Sequence, residues 1–188
     1  DQLKTFIDEC HKRGIAVILD MVFNHATGLN PMNKLYPYGT DLSKNPWFNA
    51  TAPHSDNVYE DWNHDFAPTK TMFTRSLQYW LEEYKVDGYR MDLSHGLCGT
   101  AANTSVKHIK EYYQNGVKAV SEDAYFILEH WGANMGSERP ALIKEGMMCW
   151  DNTTNAYYQT AMGWLKDGDN LTNANKDDYV TYCESHDE

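Results

Sequence analysis

The stretch Val86-Asp87-Gly88-Tyr89-Arg90-Met91-Asp92-Leu93 sets an arginine two residues ahead of an aspartate. Read as a β-strand, it sends Gly88, Arg90 and Asp92 to one face and Tyr89, Met91 and Leu93 to the other. Two full charges on the inner face of a buried strand are costly unless they are paired or used. The guanidinium is expected to hold Asp92 ionised at neutral pH, the state an enzymatic carboxylate nucleophile needs. An ordinary buried Arg–Asp ion pair satisfies the stretch equally well. A second carboxyl, Glu129, follows the apolar run Tyr125-Phe126-Ile127-Leu128 and precedes His130-Trp131. Flanking Leu128 and Trp131 would desolvate it and raise its pKa. Retaining glycoside hydrolysis needs two such carboxyls about 5–5.5 Å apart, one a nucleophile and one a general acid. Neighbouring strands lie about 4.8 Å apart, so two strand ends can supply that separation.

The elements that must position these residues can be read in order. Leu3, Phe6, Ile7 and Cys10 give residues 1–13 the spacing of an amphipathic helix, with Gly14 as its stop. Ile15 to Leu19 is an unbroken apolar run, as in a parallel strand buried on both faces, and it ends in Asp20. From Ala26 to about Lys70 the pattern dissolves into Pro, Gly, Asn, Asp and aromatics, too long for a plain connection and expected to form an irregular inserted subdomain. Residues 71–84 read as a helix, the Arg90/Asp92 strand follows, and a helix is expected from about Ser105 to Val120. Beyond the Glu129 strand come a helix near 138–144, a strand 147–150 ending in Asp151, a helix near 155–166 and a strand 179–184 leading to His186-Asp187. Strands alternating with helices imply βα units and a parallel sheet. Asp20, Asp92, Glu129, Asp151 and Asp187 all fall at or just past strand C-termini, the active-site face of parallel α/β folds.

Composition sets outer bounds. The 188 residues are 41% hydrophobic, enough for one sizeable core, and a net charge of −11 argues against nucleic acid or an anionic membrane as partner. The 13 Tyr and 6 Trp suit stacking on sugar rings, though core packing accounts for most such residues. Cys10, Cys98, Cys149 and Cys183 show no metal-ligand spacing, and Cys10, Cys149 and Cys183 read as small buried residues. The sequence holds no membrane-spanning run and no signal segment, lacks an initiator Met and stops without a tail, and so reads as an excerpt of a longer protein.

Four short regions then appear in order: Asp20-Met21-Val22-Phe23-Asn24-His25, Gly88-Tyr89-Arg90-Met91-Asp92, Ile127-Leu128-Glu129-His130-Trp131 and Glu184-Ser185-His186-Asp187. With a long insertion after the first, they resemble the α-amylase family, glycoside hydrolase family thirteen, across nearly the whole chain. The resemblance implies an α/β fold, a (β/α)8 TIM barrel of which this chain is a partial barrel covering about strands three to seven. Residues 1–25 and 71–188 would form the barrel segment, and 26–70 the subdomain B inserted after strand three. It further implies Asp92 as nucleophile, Glu129 as general acid/base and Asp187 as stabiliser of the transition state. Arg90 would orient Asp92, His25 and His186 would contact the sugar, and Asp20 would support the site structurally. Asn24 matches a position that binds Ca2+ in many members, and Asp61, in Asp61-Trp62-Asn63, resembles a second ligand. No organic cofactor is implied.

Leu93-Ser94-His95-Gly96 departs from the Lys-His that often follows the nucleophile in the family. Asp56, Asp61 and Asp65 therefore also read as a solvated loop, and His54 and His64 as loop residues. Trp131, Tyr89, Trp47 and Trp62 are candidates to stack on glucose rings, with packing as the alternative for each. The implied substrate is an α-glucan or malto-oligosaccharide, cut internally at α-1,4 bonds, and a polymeric substrate points to a secreted or cell-envelope protein. The implied partners are the remaining barrel strands and a C-terminal β-domain of the parent chain. A transglycosidase and a catalytically silent glucan-binding fragment stand as alternatives.

Overall fold

The computed structural model describes residues 2–35, 41–163, 176–182 and 185. Helix α1 (Gln2–His11) buries Ile7, and Gly14, at φ +71°, turns the chain out of it. Strand β1 (Ile18–Val22) starts later than the apolar run that announces it, leaving Ile15 more than half exposed. A two-residue strand β2 (His25–Ala26) follows, then a short helix α2 (Pro31–Lys34) capped by the Asn30 side chain. The irregular stretch returns through β3 (Glu60–Asp61), which pairs antiparallel with β2.

Helix α3 (Ala67–Tyr79) carries a proline in its first turn, where no backbone N–H is needed. Phe73, Leu77 and Leu81 recur at helical spacing and face the core. The helix ends in a π turn, Trp80–Tyr84, closed by Lys85 in the left-handed region. Strand β4 (Gly88–Asp92) follows, and helix α4 (Ser105–Tyr112) runs into a second π turn, Tyr113–Lys118. Then come β5 (Tyr125–Leu128), α5 (Met135–Ile143), β6 (Met148–Asn152), α6 (Thr154–Ala161) and β7 (Tyr179–Tyr182). The expected helices near 138–144 and 155–166 are thus present with earlier starts, and 164–175 lie outside the described residues.

The main sheet has the order β1-β4-β5-β6-β7, every pairing parallel. Each strand's C-terminus therefore opens on the same edge. The core fills the space between this sheet and its helices, with Tyr89, Met91, Phe126 and Leu128 buried beside Leu77, Ile109 and Leu142. The alternation read from the sequence holds here. Tyr89 and Met91 are fully buried, and the Tyr89 hydroxyl donates to the Leu77 carbonyl of α3. Cys98 and Cys149 are buried free thiols, whereas Cys10 is half-buried, and Cys183 lies outside the described residues. Among the described residues no helix is long and apolar enough to cross a membrane.

Candidate active site

The ends of β4 and β5 bring Asp92 and Glu129 side by side. In the parallel register Met91 faces Leu128, and the Glu129 N–H continues the ladder by donating to the Met91 carbonyl at 3.0 Å. Arg90, 6% exposed, sits among three carboxyls. Its Nη1 donates to Asp92 Oδ1 at 2.6 Å and to Asp20 Oδ1 at 2.9 Å, and its Nη2 lies 2.9 Å from Glu129 Oε1. The guanidinium plane rests on the Trp150 ring, 3.7 Å from its centroid. Burial opposes the Arg90 charge, but the hydrogen bonds to Asp20 and Asp92 outweigh it and raise the pKa. Asp20 lies inside β1, opposite Arg90, rather than at the strand's end, and its side chain is about half exposed.

Leu93 follows Asp92 with φ +41°, a left-handed conformation that costs a branched residue about 1–2 kcal/mol. That turn aims its N–H at Glu129 Oε2, 2.8 Å away. Burial pushes the Glu129 carboxyl above its ordinary pKa; the Leu93 N–H and Arg90 oppose this, and the charge of Asp92 adds to it. Among the three carboxyls around this one cation, burial makes Glu129 the one that holds a proton more tightly than an ordinary glutamate. Two carboxyls, Asp92 and the more deeply buried Glu129, thus share one guanidinium at one sheet edge. That arrangement can deliver a nucleophile and a proton to the two sides of a single bond.

On the subdomain side, His25 is half-buried, pairs in register with Asp61 and lies beside the Tyr59 ring, with centroids 5.7 Å apart. Asn24 is fully buried, and its Oδ1 has no hydrogen-bond partner, as an oxygen awaiting a cation would be. Asp61 does not read as a solvated loop residue: it is 2% exposed. His54 Nε2 lies 2.7 Å from its Oδ1, and Asn49 donates to its Oδ2 at 2.7 Å. Asp56 instead faces His95, at 3.2 Å. Calcium takes roughly six to eight oxygen ligands. With both Asp61 oxygens taken, and no group of three His, Cys, Asp or Glu gathered for a metal among the described residues, Asn24 and Asp61 do not fit a shared ion.

The aromatic candidates are mostly packed. Trp62 is 3% exposed between Phe48 and Phe73, Tyr89 is in the core, Trp47 sits edge-on to Trp62 and Phe66, and Trp131 carries the Arg139 guanidinium on its face. His64 lies in the turn before α3, as a loop residue, but it is not solvated. It is fully buried between the Tyr112 hydroxyl and the Phe23 carbonyl, and burial lowers its pKa to about 3. His186 and Asp187 lie outside the described residues. The sequence reading overlooked Glu138 and Arg139, which meet the loop after Glu129; charged residues in a helix beside a proline carry no signal of burial.

Comparison with known proteins points the same way. A malto-oligosyltrehalose trehalohydrolase of Saccharolobus solfataricus is 36% identical over 112 residues, 57% of this chain and 17% of that protein. A Bacillus cyclomaltodextrinase is 28% identical over 160 residues, 70% of this chain and 25% of that protein. The solved α-amylase of Geobacillus thermoleovorans, complexed with acarbose, superposes with a TM-score of 0.59 at 26% identity, covering 84% of this chain and 35% of that one. These relatives and this solved structure are members of the α-amylase family, and the chain is similar to them. Its five parallel strands with their helices are part of that family's (β/α)8 barrel. No family model matches the chain. It spans 12% to 25% of the length of the curated α-amylase-family relatives it matches.

Proposed function

We propose that this segment supplies the reacting carboxyls of a retaining α-glucan hydrolase that cuts α-1,4 bonds internally. The observation that carries the reading is the Arg90 guanidinium held between Asp92 and Glu129 at adjacent strand ends. Relatives named cyclomaltodextrinase and maltogenic α-amylase, and the acarbose complex, support an α-glucan as the ligand class. In the first step Glu129 gives its proton to the glycosidic oxygen while an Asp92 oxygen attacks the anomeric carbon. The C1–O bond to the leaving sugar breaks and a glycosyl ester to Asp92 forms. Glu129, now ionised, takes a proton from water, whose oxygen attacks C1 and frees Asp92. Arg90 holds Asp92 in line, and Asp20 holds Arg90. His25, His186 and Asp187 are proposed to grip sugar hydroxyls. Residues 26–70 are proposed to wall the site as subdomain B. Calcium enters no step.

The test is trapping. The full-length protein carrying this chain is incubated with a fluorinated α-maltosyl reagent that stalls the covalent intermediate, and its mass and peptide map are taken. A disaccharide adduct on the Asp92 peptide, absent in Asp92→Asn, is expected. Substantial turnover of maltoheptaose by folded Asp92→Asn would overturn the assignment.

A further inference from the structure

We propose that Glu138 and Arg139, adjacent on α5, are positioning residues that fix Glu129 through its neighbour His130. The inference rests on the acid/base reading of Glu129. A strand-end carboxyl is only as well placed as the loop that follows it, and about 1 Å of misplacement can cost a hundredfold in rate. Leu93 and Arg90 hold the Glu129 side chain from β4, so the remaining freedom lies in the backbone at His130-Trp131.

Arg139 closes off that freedom. It is 7% exposed, and its Nε donates to the His130 carbonyl at 2.9 Å. Its Nη1 donates to Asp151 Oδ1 at 3.0 Å and its Nη2 to the Trp150 carbonyl at 3.3 Å. The guanidinium face covers the Trp131 ring, 4.3 Å from the centroid. One planar fork therefore ties the chain leaving β5 to the end of β6, with Asp151 answering its charge. A lysine ammonium, a point charge on a flexible stem, cannot make those divergent bonds together.

Glu138 holds the His130 side chain. Burial lowers the His130 pKa and so favours the neutral ring, with one N–H to give. Glu138 Oε2, an acceptor 3.0 Å from Nε2, takes it. Nδ1 stands 3.1 Å from the Ser94 Oγ, which donates to the Glu129 carbonyl at 3.0 Å, as the Ser94 N–H does at 2.9 Å. The chain Glu138–His130–Ser94 thus returns to the backbone of Glu129 itself. Two consecutive residues of one helix grip both the main chain and the side chain of the residue after the acid.

A positioning role predicts a loss confined to proton delivery. On a malto-oligosaccharide Glu129 must protonate the leaving oxygen. On α-maltosyl fluoride the C1–F bond breaks as the ester to Asp92 forms, and fluoride departs without that proton. In the full-length protein, kcat/KM for maltopentaose should fall at least about tenfold in Arg139→Lys, and that for the fluoride less than about threefold. Equal losses on both substrates would overturn the inference, since a merely structural role affects both alike. If Arg139→Lys fails to fold by circular dichroism, Glu138→Gln decides by the same ratio. Glu129→Gln is the reference: it should spare kcat/KM for the fluoride, which reports formation of the ester, and lose kcat/KM for the oligosaccharide. Loss of both there would remove the acid/base reading on which the positioning rests.

Discussion

Arg90 has two opposite effects on its neighbours. It anchors Asp92 and Asp20 by hydrogen bonds, yet it cannot neutralise three carboxyls, and burial together with Asp92 lifts the pKa of Glu129. An acid catalyst must carry its proton at the working pH, so the basic limb of the kcat/KM profile should lie above the ordinary glutamate range of about 4.3. The same shift bears on stability. Glu129 binds its proton more tightly folded than unfolded, so its contribution is full at low pH. That contribution is lost as pH rises from the ordinary glutamate value through the raised one. Glu129→Gln has no such proton to lose. Urea denaturation of both proteins across this range should show the variant gaining on the wild type as pH rises. A difference constant with pH would contradict the raised pKa.

At the scale of elements, β4 carries the site because it can lie close against β5. Gly88 begins the strand, and a Cβ there would run into the Tyr125 backbone carbonyl, which belongs to the sheet and has little room to move. Gly88→Ala should therefore destabilise the protein by about 1–3 kcal/mol, seen as a lower Tm, with far-UV circular dichroism unchanged. An unchanged Tm would mean that the two strands part easily. This strand was legible in the sequence, since a period of two sorts Arg90 and Asp92 from Tyr89 and Met91. So was the parallel sheet, from apolar runs each ending in a carboxyl. The π turns after α3 and α4 were not, because the slip from one hydrogen-bond spacing to another leaves the apolar face unbroken. Nor was the burial of Asp61. A stretch rich in Asn, Asp and His reads as solvated until its partners, His54 and Asn49, are known. Arg139 was hidden for the same reason: what makes a buried charge tolerable is its partner Asp151, brought to it by the fold.

At the scale of the whole molecule, the sheet has, among the described residues, one well-covered face and one open one. Helices bury Tyr89, Met91, Phe126 and Leu128, whereas Ala16, Ile18, Tyr125, Ile127, Met148 and Val180 line an apolar hollow. Around the sheet Ile15, Val22 and Tyr125 are each about half exposed. Apolar surface gains about 25 cal/mol per Å² on leaving water, so an uncovered hollow of this kind drives binding of whatever apolar surface reaches it. The net charge of −11 opposes contact between copies, and that repulsion is screened by salt while the apolar attraction is not. The isolated chain should therefore bind an anilinonaphthalene dye in native buffer. Its weight-average mass in sedimentation equilibrium should rise with concentration, and rise faster at about 0.5 M salt than at about 0.05 M. Ile15→Lys and Tyr125→Lys, both at surface positions, should lower dye binding and association together without lowering Tm. A monomer silent to the dye at every salt concentration would show that the open face closes on itself. The hollow would then have to be filled by rearrangement of the strands that hold Asp92 and Glu129 in register.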